Sequence, residues 1–136
     1  MLSSKAKYGL RAAALLAGAG GQWLNSTELA ARGVVPRKFL EAILVELRNH
    51  EVIESRRGPA GGHRLLMAPE AVRVADLIRI FDGPLALTPC TSRTQFGPCR
   101  DCPDLEACKL RHVLQQARDA VAGVLEGYSL ADLAAA

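Results

Sequence analysis

Apolar residues return at helical spacing from residue 5 to residue 18, with Ala6, Leu10, Ala13, Ala14 and Ala17 on one side, until Gly18 to Gly21 end the run. Lys7 and Arg11 interrupt this Ala/Leu stretch, and no cleavage pattern follows it, so it reads as an amphipathic first helix. Asn25 or Ser26 is placed to cap a short second helix, with an acid in its first turn and Gly33 at its close. A third helix is predicted from Pro36, which the first turn tolerates, through Phe39, Leu40, Ile43, Leu44 and Leu47 on one face. Two short helices joined by Gly33-Val34-Val35 make a helix-turn-helix pattern.

The period then changes. Val52 to Arg57 reads as a strand, Gly58-Pro59-Ala60-Gly61-Gly62 as a turn and His63 to Leu66 as the returning strand. A hairpin in this position is a wing. Helical spacing resumes over 74–81 and stops at Gly83-Pro84. After an irregular segment, a long helix is predicted from about Asp104 to Glu126. Its apolar positions are Leu110, Val113, Leu114, Ala117, Val121, Val124 and Leu125, a stripe that serves either a core or a dimer seam. There is no internal repeat, and the only low-complexity tract is the terminal Ala134-Ala135-Ala136.

Composition narrows the class. The 136 residues are 49% hydrophobic but only 4% aromatic, so the core is built from aliphatic side chains, which suits helices. No apolar run approaches the ~18–20 residues needed to cross a bilayer, so no membrane partner is expected. Without an export signal the cytoplasm is the expected compartment, where thiols stay reduced. The net charge of +3 is unevenly spread: residues 1–65 carry ten Lys and Arg against five Asp and Glu. A basic first half fits a head that meets a polyanion.

Two constellations carry chemistry. In the first, the third helix would enter the major groove of double-stranded DNA by its N-terminal end, with Arg37, Lys38 and Glu41 near base edges or phosphates. Arg56, Arg57, His63 and Arg64 sit at the base and flanks of the wing, placed for the backbone or the minor groove. Cations at a helix N-terminus oppose its dipole, so Arg37 and Lys38 call for a reason other than helix stability. The Gly-rich turn is not a phosphate cradle, because a strand rather than a helix follows it. In the second, Cys90, Cys99, Cys102 and Cys108 fall within nineteen residues, and the chain has no other cysteine. Soft sulfur ligands gathered on one Gly- and Pro-rich segment suit an iron–sulfur cluster, with zinc or a thiol–disulfide switch between Cys99 and Cys102 as alternatives. A single CxxC, at Cys99 and Cys102, is not a zinc-ribbon pattern. His112 follows Cys108 by one helical turn and reads as a solvated or packed helix residue. A redox enzyme or electron carrier would need convergent acid–base groups, and His50, His63 and His112 lie on separate elements.

Over nearly its whole length the chain resembles the Rrf2 family of bacterial winged-helix regulators. The resemblance lies in Ser4-Lys5-Ala6-Lys7-Tyr8-Gly9-Leu10-Arg11-Ala12, in Pro36 to Glu41, and in Leu47-Arg48. It continues through Arg57-Gly58-Pro59-Ala60-Gly61-Gly62-His63-Arg64-Leu65, Phe81-Asp82-Gly83-Pro84 and Ser129 to Leu133. It implies a mainly α fold with a small β-hairpin wing, a winged helix-turn-helix followed by a long C-terminal dimerisation helix. It implies a homodimeric transcription factor, not an enzyme, acting on a pseudo-palindromic operator. Many members sense redox state, iron or nitric oxide through a cluster, and others carry none. The DNA-contacting set it suggests is Ser4, Lys5, Arg37, Lys38, Glu41, Arg56, Arg57, Gly61, Gly62 and His63, with Arg57 matching a minor-groove contact and Glu41 a site-discriminating position. Ala42 stands where some relatives carry Gln.

The cysteine loop departs from that family's usual three evenly spaced cysteines, and the relatives' histidine ligand falls on Arg111, their acidic ligand near Tyr8. The implied ligand set is therefore all four thiolates, or three with one spare, around a 2Fe–2S or 4Fe–4S cluster. The expected organisation within one compact domain is a DNA-binding region over 1–83, a cluster loop over 84–108, and a dimerisation helix with C-terminal tail over 104–136.

Overall fold

The computed structural model describes residues 1–135. Helix α1 (Ser4–Gly18) is the hub. Ser3 caps it by accepting from the Ala6 amide at 3.0 Å, and its buried face is Ala6, Gly9, Ala12, Ala13 and Leu16. These small side chains let neighbours come close on several sides. Helix α2 (Ser26–Gly33) is capped by Asn25, whose side chain accepts from the Glu28 amide at 2.8 Å. Helix α3 (Arg37–Asn49) buries Leu40, Ile43, Leu44 and Leu47, with Pro36 just outside as its N-cap rather than in the first turn. Between α2 and α3, Val34 takes the left-handed conformation at φ 52°. For a β-branched residue this is a strained way to turn the chain.

Strands β1 (Ile53–Arg56) and β2 (Gly62–Leu65) pair antiparallel, with Ile53 opposite Leu65 and Arg56 opposite Gly62. Leu24 joins this hairpin through two backbone hydrogen bonds with His63, at 2.9 and 2.7 Å. Helix α4 (Val74–Asp82) buries Val74, Ala75, Leu77, Ile78 and Phe81 against the head. Its C-terminal Asp82 accepts from the Ser3 amide at 2.9 Å and from the Ser3 hydroxyl, which ties the end of α4 to the start of α1.

Helix α5 runs from Lys109 to Glu126 and starts later than the apolar periodicity predicts. Asp104 takes the Glu106 amide with its own side chain at 3.0 Å, an Asx turn that competes with helix in that stretch. Helix α5 buries only Ala122. Leu110, Val113, Val121 and Val124 are 68%, 59%, 47% and 60% exposed. With Ala117 they occupy roughly a quarter of the helix circumference, so the stripe faces away from the chain's own core. The C-terminal segment, expected as a tail, forms helix α6 (Leu130–Ala135). Ser129 and Asp132 cap it reciprocally: the Ser129 amide donates to Asp132 at 2.8 Å and the Asp132 amide to Ser129 Oγ at 3.3 Å. Leu130 is fully buried, its amide donating to the Val72 carbonyl at 2.9 Å, and α6 packs on α1.

Gly9 sets the α1–α4 distance, since a Cβ there would fall 2.4 Å from the Phe81 ring. Gly9→Ala is expected to lower unfolding free energy by about 1–3 kcal/mol through overpacking, read by chemical denaturation.

Candidate functional site

The residues of the sequence-derived DNA set lie on α1, α3 and the hairpin. The N-terminal residues of α3 project outward: Lys38 and Glu41 are exposed, and Arg37 Nη2 donates to Thr27 Oγ1 on α2 at 2.7 Å. Lys38 lies over the Phe39 ring at 5.2 Å, and Phe39 stacks tilted on Tyr8 with centroids 5.2 Å apart. Lys7 and Arg11 approach the same Tyr8 ring at 5.4 and 5.7 Å. Three cations thus frame one aromatic pair. Lys7 and Arg11, which the sequence reading noted only as breaks in an apolar stretch, are brought to α3 by the Tyr8–Phe39 contact between the two helices. Ser4 is exposed, whereas Lys5 is drawn inward to Glu46 on α3 at 2.9 Å.

On the wing, Gly61 and Gly62 act through their backbones. A Cβ on Gly61 would lie 2.1 Å from the Arg56 carbonyl, and one on Gly62, at φ +143°, would lie 2.6 Å from the Leu24 carbonyl. Arg57 is exposed at the start of the turn, and it pairs with no acid among the described residues. Arg56 and Arg64 instead both lie over Trp23, their guanidinium carbons 4.3 and 4.4 Å from its ring centroid. Arg64 also pairs with Glu54. His63 hydrogen-bonds with Ser26 Oγ through Nε2 at 3.2 Å and with Ser55 Oγ through Nδ1 at 2.7 Å, joining α2 to the hairpin. Burial, followed by the nearby Arg48 cation, holds its pKa below the ordinary 6.5, with Glu41 opposing.

The four cysteines line one cavity of about 410 Å³ at the start of α5, with Thr88, Asp101, Asp104, Arg111 and the apolar Pro103, Leu110 and Leu114 among its other walls. Cys90 is buried in a short 3-10 turn, Pro89–Thr91. Its sulfur is 3.4 Å from Thr88 Oγ1, and the Cys99 thiol donates to it at 3.7 Å. The Thr88 hydroxyl draws the Cys90 pKa down, while donation to Cys90 pushes that of Cys99 up. Among the described residues, no three Cys, His, Asp or Glu side chains converge tightly enough to close on one metal ion. The loop would therefore have to draw in around an occupant.

Arg111 is the residue that spacing did not single out as a partner of the sulfurs. It reaches the cavity from the first turn of α5, and its buried Nε has no hydrogen-bond partner. A guanidinium beside Cys90 that keeps one buried donor free, in a cavity lined by four thiols, complements an anionic occupant such as a thiolate-ligated iron–sulfur cluster or a zinc tetrathiolate. The donor set fits. His112 points elsewhere, exposed and 3.3 Å from Gln116 Nε2.

A helix-turn-helix with its second helix turned outward, followed by a basic hairpin, defines a winged-helix DNA-binding transcriptional regulator. The chain belongs to the Rrf2 family, whose model, described as an iron-dependent transcriptional regulator, matches residues 2–136. It is 39% identical over 140 residues to a Rhodobacter capsulatus protein described as rrf2-like, covering all of this chain and 93% of that one. It is 30% identical to the HTH-type transcriptional regulator NsrR of Bacillus licheniformis, across 97% of this chain and 90% of the relative. The solved structure of CymR, the global cysteine regulator of Bacillus subtilis, superposes with a TM-score of 0.79 at 30% identity, covering 99% and 96% of the two chains. Fold and family are those of transcriptional regulators, not of enzymes. Among the described residues no helix is long and apolar enough to cross a membrane.

The His63 environment sets a pH dependence. Because its folded pKa lies below 6.5, the unfolded chain binds that proton more readily. The stability it contributes is full above pH 6.5 and is lost as pH falls through the lowered folded value. Denaturation profiles between pH 7 and pH 5 are expected to slope less steeply in His63→Asn than in the wild type.

Proposed function

We propose that this chain is a homodimeric regulator whose affinity for a pseudo-palindromic operator follows the state of an iron–sulfur cluster held by Cys90, Cys99, Cys102 and Cys108. One observation carries the reading: four thiols and the free Nε donor of Arg111 open into one cavity at the foot of α5. When bound, a cluster would supply a group that gains, loses or alters its iron in response to redox state, iron or nitric oxide. Ser4, Lys5, Arg37, Lys38, Glu41, Arg56, Arg57, Gly61, Gly62 and His63 form the proposed DNA surface within residues 1–83. Their presentation, rather than the cysteines, meets the duplex.

The loop is wired to α5 at more than one point. Arg118 Nη1 donates to the Thr91 carbonyl at 2.7 Å, and Arg93 on the loop pairs with Asp119 on α5. Arg79 Nη2 on α4 donates to Glu126 at 2.6 Å. A rearrangement of residues 84–108 around an occupant is therefore felt along α5. If the outward stripe of α5 is the dimer seam, that rearrangement alters the separation of the two heads. An occupant shifts this equilibrium only by its different affinity for the two head geometries.

The Cys90–Cys99 contact of 3.7 Å also favours a second reading, in which an oxidant takes two electrons and two protons from this thiol pair to form a disulfide. Anaerobic purification decides between them. Iron and acid-labile sulfide in the brown protein, lost on replacing the ligating cysteines by alanine, are the expected result. A colourless protein with stoichiometric zinc, or with metal-free reversible thiol oxidation, overturns the cluster. DNA binding is checked separately by electrophoretic shift, where affinity is expected to fall steeply with salt as counterions are released. Dimerisation is checked by Val121→Glu, which buries a charge in the proposed seam. It is expected to convert the dimer to monomer in sedimentation and to weaken operator binding by about tenfold or more.

A further inference from the structure

Trp23 is the only tryptophan in the chain, yet it lies outside the hydrophobic core, which is built from aliphatic residues with Phe81, Tyr8 and Phe39. Its half-buried ring has another occupation. The guanidinium groups of Arg56 and Arg64 lie 4.3 and 4.4 Å from it. Strand register explains the clasp: Glu54 faces Arg64 and Arg56 faces Gly62, so both arginines emerge on the same face of the hairpin. Gly62 presents no side chain between them. Two cations on one face repel, and the indole that both approach offers each an attractive π surface.

The hairpin depends on such outside support. Two four-residue strands hold little orientation by themselves, and the turn from Arg57 to Ala60 is exposed. Leu24, the residue after Trp23, is hydrogen-bonded to His63 by its backbone on the same hairpin. The clasp therefore closes a short lever whose far end carries Arg57.

We propose that Trp23 is a positioning residue of the DNA-contacting surface, fixing the angle of the wing through Arg56 and Arg64 and so the approach of Arg57 to the duplex. This rests on the DNA-binding reading above. The test uses the full-length dimer and a fluorescent duplex recovered by selecting randomised DNA on the wild type, with anisotropy measured across a salt series and melting followed by circular dichroism. Trp23→Leu is expected to weaken binding by about 3- to 10-fold with little change in melting. Trp23→Phe, whose ring still receives a cation, should recover most of that loss. Arg57→Ala should cost less in the Trp23→Leu background than in the wild type, because the two act as one unit. Wild-type affinity in Trp23→Leu, no recovery in Trp23→Phe, or strict additivity with Arg57→Ala overturns the proposal. Arg64→Met opens one side of the clasp while leaving the ring, and so tests the idea even if Trp23→Leu folds poorly. It should weaken binding without changing the salt slope. A slope reduced by about one would mean that Arg64 touches phosphate itself, which also overturns the proposal. Failure of the wild type to bind duplex in any cofactor state removes the DNA-binding reading, and this inference with it.

Discussion

The close approach of α4 to α1 over Gly9 is the constraint on which the rest of the molecule depends. The absent side chain lets the Phe81 ring lie against the α1 backbone, and Ala6, Ala12 and Ala13 keep the rest of that face thin. Helix α1 can then touch α2, α3, β2, α4 and α6 at once. A bulkier α1 would separate the DNA-reading helices from the elements that lead to α5. Close packing of this kind transmits displacement because interiors have few voids to absorb it. The Ser3–Asp82 hydrogen bonds close the same joint from its polar end.

From that joint the molecule extends in two directions with different physical characters. On the side proposed to meet DNA, the surface is organised by cations held on aromatic faces, Lys38 on Phe39, Lys7 and Arg11 on Tyr8, Arg56 and Arg64 on Trp23. Such contacts orient long flexible side chains without neutralising them; Arg64 is the exception, since it is also paired with Glu54. Away from DNA, the contacts are ion pairs and hydrogen bonds that bind loop to helix: Arg93 with Asp119, Arg118 with the Thr91 carbonyl, Arg79 with Glu126. Exposed pairs of this kind add little stability. Their use lies in geometry, since they hold a loop of little regular structure at a fixed place along α5.

The cysteine cavity joins these two halves of the problem. Its sulfurs come from a loop with only a short turn of regular structure, and its cation comes from a helix, so an occupant must satisfy both. Arg111 stands where the family resemblance places a histidine ligand, and a guanidinium cannot take that role. Its unpaired Nε can instead hydrogen-bond to sulfur or offset negative charge. The exposed stripe from Leu110 to Val124 begins in the same first turn. The cavity and the proposed seam are therefore two faces of one helix end.

Much of this was legible in the residues. The three helices of the head, the hairpin and α4 follow from local periods and caps, because the apolar spacing that makes a helix also makes its buried face. The four clustered cysteines announced a shared site by proximity along the chain. Helix α6 carried a readable signal too, in the Ser129–Asp132 capping pair. Other features depended on residues far apart in sequence, which leave no periodic trace. Lys5 with Glu46, Trp23 with Arg56 and Arg64, and Arg111 beside Cys90 became partners only when the chain folded. The same holds for the stripe on α5, whose spacing suits a core and a dimer seam equally. Its outward direction was decided by which side of the helix Ala122 and Arg118 turned toward the rest of the chain. Most elements follow from the residues alone, because helix and strand formation is a local balance of backbone and side-chain free energies. Tertiary structure decided which charges are held, which are free, and which apolar face is left for a partner.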